Sequence, residues 1–374
     1  MIPMLDLRYE YEWMQADIDA AVAKCLLHQR WINGPEVGEF ERSVATYLGV
    51  KHAIGVASGT DALVLALRAE AIKYHGCEYF SRTDKIITAP FTFAATGDAI
   101  LRAGATPVFV DIDLATFNIS MDRVVECIGA DVRVVGVVPV HLFGLACKLN
   151  GVPPRIFVVE DCAQSFGAKL DARYLGTIGN AGAFSFFPSK NLGCFGDGGM
   201  VTTDDDDLAD MVRWLARHGG KNKNDCQHIG YNSRLDTLQA AILLAKLRHI
   251  DELNDFRRQN AVWYTEELFS VDGVVLPVLP MDTDSHVFHQ YTIRVLDGKR
   301  DALAAHLNRC GIDTMVYYAT PLYGMKLFAD RGEVYGSLVN AYQAAEEVLS
   351  LPIEPLMARN DIAQVGAAIR EFYA

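Results

Sequence analysis

Three short segments hold residues able to act on a carbonyl and on a phosphate. Lys190 lies in Ser185-Phe186-Phe187-Pro188-Ser189-Lys190, ahead of the glycine-rich NLGCFGDGGMV. An amine in a tight, apolar, glycine-flanked turn is poorly hydrated, which favours its neutral form and its condensation with an aldehyde. A solvated surface lysine is the ordinary alternative. Asp161 lies in Glu160-Asp161-Cys162-Ala163-Gln164, directly after the apolar run IFVV. A carboxylate there is costly to desolvate without a cation, and a protonated ring nitrogen is one such partner; capping the next helix is the other reading. Ser58-Gly59-Thr60 stands between AIGVA and a helical stretch from Asp61. Free N–H groups and the positive helix end at such a turn suit a phosphate, although Ser or Thr also serves there as a plain cap.

The elements that must position these residues follow from periodicity. From Gly55 to about Val201, β-branched runs near Ile86, Thr106, Val132, Arg155 and Ala183 alternate with helix-length stretches. That rhythm predicts an α/β fold with a mostly parallel central sheet and helices on both faces, its active site at the carboxyl ends of the strands. One long connector helix is expected from Arg234 to about Phe269. Beyond it, strand-like and helical stretches make a smaller C-terminal α+β domain, which gives residues 1–250 as the large domain and 251–374 as the small one. The Asp204–Asp207 run reads as the acidic start of a helix.

The chain has 374 residues, 34 Lys plus Arg against 47 Asp plus Glu, and a net charge of −13. It lacks the basic field expected of a nucleic-acid or anionic-membrane binder. VVGVVPVHLFGLA, the most apolar stretch, is broken by Pro139 and His141 and is too short to span a bilayer. The charged amino terminus is unlike a secretory signal, so a cytoplasmic protein is expected. Eight scattered cysteines without zinc-ligand spacing predict free thiols and no metal site.

A phosphate turn, a strand-end Asp and, 29 residues later, a lysine occur in the order that pyridoxal phosphate requires on a parallel sheet. Nine ordered segments extend that match: GPEVGEFE at Gly34, SGTDAL at Ser58, PFTFAAT at Pro90, VFVDID at Val108, PVHLFG at Pro139, VEDCAQSFGA at Val159, SFFPSKNLGCFGDGG at Ser185, GYNSRLDTLQAAIL at Gly230 and LSLPIEP at Leu349. From end to end the chain resembles the DegT/DnrJ/EryC1/StrS family of nucleotide-sugar aminotransferases, pyridoxal phosphate enzymes of fold type I.

The resemblance implies roles. Lys190 falls on the Schiff-base lysine, Asp161 on the partner of the ring nitrogen, and Gln164 on the donor to the phenolic oxygen. Phe93 would lie against the ring, and Gly59, Thr60 and Ser185 would hold the phosphate. Asn232 is similar to the asparagine that reaches the cofactor of the neighbouring subunit, so a homodimer with shared sites is implied. The implied reaction moves an amino group from L-glutamate to a nucleotide-linked ketosugar, in surface-polysaccharide or glycan sugar biosynthesis. The motifs look most like the 3-oxo branch, with 4-oxo sugars as the alternative.

For the sugar diphosphate, the basic cluster Arg213, Arg217, His218, Lys221 and Lys223 is the candidate; a solvated helix end explains it equally. Arg234 is another candidate for contact with the site, and Tyr318 aligns with a family tyrosine near the sugar. The chain departs from its relatives at Phe143–Lys148, at Tyr317-Tyr318-Ala319, and in a longer Ala69–Asp84 stretch without an assigned role. Lys190 speaks against the family's dehydratases, which carry histidine there, and no mobile cysteine loop supports a desulfurase. A cofactor-binding regulator without turnover is the reading outside enzymology.

Overall fold

The structure is a computed structural model describing every residue from 1 to 374 except Lys223, with His75 described by its backbone alone. Apart from two short two-stranded hairpins, the strands in chain order are β1 His52–Val56, β2 Lys85–Thr88, β3 Thr106–Val110, β4 Val134–Val138, β5 Phe157–Asp161, β6 Ala181–Ser185 and β7 Gly199–Thr203. They are followed by β8 Val274–Val275, β9 Tyr291–Val295, β10 Glu333–Tyr335 and β11 Val348–Leu351. The large sheet runs β1-β7-β6-β5-β4-β2-β3-β10. Every neighbour from β6 to β10 is parallel, and β7 alone runs antiparallel to both of its partners.

Such a sheet must be covered on both sides, and the alternation of side chains decides what meets what. Ile54, Val56, Ala183 and Val201 pack with the helices α3 (Gly59–His75) and α6 (Asp206–Leu215). Their neighbours Ala53, Phe184 and Met200 pack on the other face with α2 (Pro35–Leu48) and α7 (Thr237–Leu247). The helix α1 (Leu7–His28) lies outside α7, with Met14 and Ile18 against Ile242 and Ala245. Between these run α4 (Ala94–Arg102) and α5 (Met121–Ala130). The acidic run does start a helix: the Asp205 carboxylate accepts the Leu208 N–H at 2.9 Å.

The long connector helix expected over 234–269 is two helices instead. Residues 232–236 run extended beside the chain at Trp31–Ile32, with Thr237 N–H donating to Trp31 O, so α7 starts only at Thr237. At Arg248–His249 the chain turns into α8 (Ile250–Leu268), where His249 packs edge-on against Trp13 and reaches Asp17 at 3.1 Å. Tertiary contacts of that kind carry no helical period and are silent in the sequence. Beyond α8, the antiparallel sheet β8-β9-β11 packs with helices Arg300–Arg309 and Arg359–Tyr373 around Tyr264, Tyr291 and Leu349. One strand of this region, β10, crosses back to the edge of the large sheet, where Lys85 ion-pairs with Glu333 and Asp131. Among the described residues, no helix is long and apolar enough to cross a membrane.

Candidate active site

Because β1, β5 and β6 point the same way, their carboxyl ends converge on one cavity of about 580 Å3. Each wall is made by a local rule. Ser58 caps α3, its hydroxyl accepting the Asp61 N–H at 3.1 Å, which leaves the first amides of the helix facing the cavity. Gly59 is required there by space: a Cβ would stand 2.6 Å from the Ser185 Cβ at the end of β6. Ser58, Gly59, Thr60 and Ser185 thus form a small-residue cradle with a helix dipole behind it, which fits a phosphate.

Asp161 ends β5, is 4% exposed and accepts hydrogen bonds from Thr96 Oγ1 at 2.8 Å and Ala163 N at 3.2 Å. Among the described residues it has no ion-pair partner. Burial pushes its carboxyl above the ordinary range, against the pull of those two donors and of Lys190 and His141. A buried carboxylate that faces a cavity and has no ion-pair partner among the described residues is what a protonated ring nitrogen would complete.

Lys190 sits in the turn after β6, its own N–H bonded to Phe187 O at 2.8 Å. Burial lowers its ammonium pKa to about 8, and the Asp161 charge opposes that shift. The turn is held from outside, by Lys246 Nζ donating to Gly193 O at 2.6 Å and by the Gln239 amide accepting the Phe195 N–H at 2.8 Å.

Gln164 is oriented by the departure at Phe143. Phe143 takes a left-handed φ of 57° and donates its N–H to Gln164 Oε1 at 2.6 Å, so the Gln164 NH2 turns to the Tyr318 hydroxyl at 3.2 Å. Tyr318 is half-buried, and desolvation pushes its phenol up. Phe93, 60% exposed, stands 6.3 Å from the Tyr318 ring across the opening, a bare aromatic face where a planar ligand would stack.

The cavity therefore collects Gly59, Thr60, Phe93, Asp161, Gln164, Ser185, Lys190 and Tyr318. It does not collect Asn232, Arg217, His218 or Arg234, which lie outside its lining. Asn232, Arg217 and His218 are exposed, and among the described residues the side chains of Asn232, Arg217 and Arg234 make no hydrogen bond or ion pair. Of the basic cluster, Arg213 is engaged with Asp210 and His52, Lys221 is exposed, and Lys223 lies outside the described residues.

The sequence did not single out His289, which also lines the cavity. Its Nδ1 lies 3.1 Å from Asn191 Oδ1, and because Asn191 Nδ2 donates to Asn254 Oδ1 and Val287 O, the imidazole proton sits on Nδ1. Burial, then the nearby Lys190 and Arg257 charges, keep the ring neutral. The only sequence signal was the HVFHQY run before β9.

Two groups of side chains have the composition of metal ligands, Cys25-His28-Glu36 and His141-Glu160-Cys162. In both, the histidine Nδ1 accepts a backbone N–H, from Arg30 at 3.0 Å and from Cys147 at 2.9 Å. The Nε2 facing each glutamate therefore carries the proton and has no lone pair to give a metal.

Comparison with known proteins agrees with this geometry. The description of the DegT/DnrJ/EryC1/StrS aminotransferase family matches residues 12–370. A Geobacillus stearothermophilus protein named a pleiotropic regulatory protein is 41% identical, covering 100% of this chain and 98% of its own length. The UDP-N-acetyl-3-dehydro-alpha-D-glucosamine 3-aminotransferase of Acidithiobacillus ferrooxidans is 40% identical over 99% of this chain and 97% of its own. Among solved structures, S. venezuelae DesV in complex with a ketimine intermediate superposes with a TM-score of 0.92 at 38% identity, covering 100% of this chain and 98% of that one. With a phosphate cradle, a buried strand-end carboxylate and a desolvated lysine around one cavity, and with relatives matching over its whole length, this chain belongs to the DegT/DnrJ/EryC1/StrS aminotransferase family.

Proposed function

We propose that this chain, a pyridoxal-phosphate-dependent aminotransferase of nucleotide-linked sugars, moves the amino group of L-glutamate to C3 of a 3-oxo sugar, as a homodimer with shared sites. The observation that carries the reading is the cavity holding Asp161 and Lys190 together: a carboxylate in need of a cation beside an amine that gives up its proton near pH 8.

Pyridoxal phosphate supplies an electrophilic aldehyde and an electron-withdrawing ring that stabilises negative charge on a bound amino acid. The residues provide the rest. The α3 amides, Thr60 and Ser185 would take the phosphate, Gln164 would donate to the phenolic oxygen, and Phe93 would lie against the ring. Asp161 would hold the proton on the ring nitrogen. Lys190, as a neutral amine, would accept the α-proton of the donor and return it two atoms away, a general base and acid in turn with a pKa near working pH. With the amino group left on the cofactor and 2-oxoglutarate released, the same proton transfers in reverse would accompany passage of that amino group to the ketosugar, so turnover would be ping-pong.

Lys190 is the only cationic side chain lining the cavity among the described residues. The anionic groups of both substrates therefore need charge and hydrogen-bond donors from elsewhere, which supports assigning Arg217 and Arg234 as cations, and Asn232 and His218 as donors, to the site of a second copy. The name of the A. ferrooxidans relative supports C3 over C4. Residues 1–250 form the cofactor-binding domain in this reading and 251–374 the smaller one, with β10 reaching back between them. Eight free cysteines support a cytoplasmic setting.

The name of the G. stearothermophilus relative favours a second reading, a regulator that binds the cofactor without turnover. One experiment separates the two: the holoprotein is given L-glutamate and a panel of 3-oxo and 4-oxo UDP- and dTDP-sugars. Release of 2-oxoglutarate coupled to a 3-amino sugar is expected. Exclusive use of 4-oxo sugars refutes the C3 assignment, and no cycling with any sugar supports the regulator.

A further inference from the structure

Arg68 is fully buried in α3, its guanidinium stacked 3.7 Å from the centre of the Tyr79 ring. It donates to the Glu78 carbonyl, to Glu78 Oε2 at 2.9 Å, to Ile229 O at 3.1 Å and to the Tyr231 hydroxyl at 3.0 Å. Glu78 in turn accepts from His228 Nδ1 at 2.6 Å and from Ile229 N at 3.2 Å. Both Glu78 and Tyr79 belong to the Ala69–Asp84 stretch that had no assigned role. On either side of Asn232, Tyr231 N–H bonds to Leu215 O at 2.7 Å and Ser233 N–H to Ala216 O at 3.0 Å. The Ser233 hydroxyl accepts the N–H of Ala57, next to the phosphate turn, at 3.1 Å.

The backbone is thus fixed on both sides of Asn232, while its exposed amide has no hydrogen-bond partner among the described residues. We infer that Glu78 and Arg68 are positioning residues that clamp residues 228–233 to α3, holding the Asn232 amide ready for the site of a second copy. A donor fixed before its ligand arrives loses little entropy on binding, and a buried guanidinium makes the clamp stiff because releasing its partners leaves a charge unpaired. The inference rests on the proposed sharing of sites.

The test uses heterodimers in which one copy carries Lys190→Ala, so that a single site can turn over. With Glu78→Ala on the Lys190→Ala copy, the working site faces the damaged clamp, and cofactor release from it is expected to speed up about tenfold, the effect of losing one charge-assisted hydrogen bond. With Glu78→Ala on the other copy, the working site faces an intact clamp and releases cofactor at the parent rate. Amide exchange at residues 229–233 of the cofactor-free protein is expected to rise in Glu78→Ala and to recover largely in Glu78→Gln, which keeps the acceptor for Ile229. His228→Gln, which alters one half-buried contact, serves if Glu78→Ala does not fold, and is expected to act in the same direction. Asn232→Ala in the same two arrangements is the control. If Asn232→Ala acts across subunits and the Glu78 variants do not, or if exchange at 229–233 is unchanged, the clamp is refuted. If Asn232→Ala itself shows no effect across subunits, the sharing of sites fails instead.

Discussion

The cavity wall and the rim at Arg217, Asn232 and Arg234 treat their polar groups in opposite ways. In the wall, Gln164, Asp161 and the Lys190 turn are each fixed by hydrogen bonds from the same chain, and the free valences point inward. On the rim the neighbouring backbone is pinned, but among the described residues the side chains of Arg217, Asn232 and Arg234 make no hydrogen bond or ion pair, and they lie outside the cavity lining. Desolvation explains the contrast. Groups that bind a cofactor in a dry pocket must be oriented beforehand, since an unsatisfied polar atom there is costly, whereas a group awaiting a second surface can stay hydrated until that surface arrives.

If the wall does the chemistry, Lys190→Ala lowers turnover by at least about 10³-fold, the upper range of a general acid–base group, and abolishes the visible absorbance of the holoprotein. A variant retaining both would place the reaction elsewhere. Asp161→Asn lowers turnover about 10²- to 10³-fold, the scale of one lost preorganised electrostatic partner. It also raises the melting temperature of the cofactor-free protein relative to the parent above the ordinary carboxylate range, because the parent must ionise a buried group whose folded-state pKa is raised while its stability falls with rising pH. An equal melting temperature at every pH contradicts this.

The rim sharpens the contrast with a smaller effect. Asn232→Ala costs about 1.5–3 kcal/mol of cofactor binding, and mixing it with Lys190→Ala restores one complete site per heterodimer; no restored activity means the rim serves its own subunit. Gly59→Ala costs about 1–3 kcal/mol, read as weaker competition by inorganic phosphate for the cofactor-free protein, because the new methyl meets Ser185. The mildest effect is on titration. In the cofactor-free protein, labelling of Lys190 by an amine-selective reagent rises through pH of about 8, and Asp161→Asn moves that midpoint lower by removing the charge that favours the ammonium. A midpoint near that of a free lysine shows the amine to be solvated.

Where sequence and structure agree, the signal is local. The turn Ser58-Gly59-Thr60, the strand-end Asp161 and the Lys190 loop each sit at a junction of two elements whose apolar periods change, so their placement at strand ends follows once the sheet is parallel. His289 had no such mark: it arrives at the cavity about 100 residues after Lys190 and is tied there by Asn191, a contact without local periodicity. The two-helix course of 234–269 was hidden for the same reason, its break being set by Trp13 and Asp17 of α1.

The sequence by itself determined the chemistry available, an amine, a carboxylate and a phosphate turn in a workable order, because residue types and strand-end positions are written in a few neighbouring letters. The tertiary structure alone decided which groups share a cavity. It set the Gln164 amide through Phe143, kept His289 neutral by burial, left Asp161 without an ion-pair partner among the described residues, and placed Asn232 and Arg234 outside the lining of the pocket. Those outcomes depend on desolvation and on contacts between segments far apart in the chain, which no local spacing encodes.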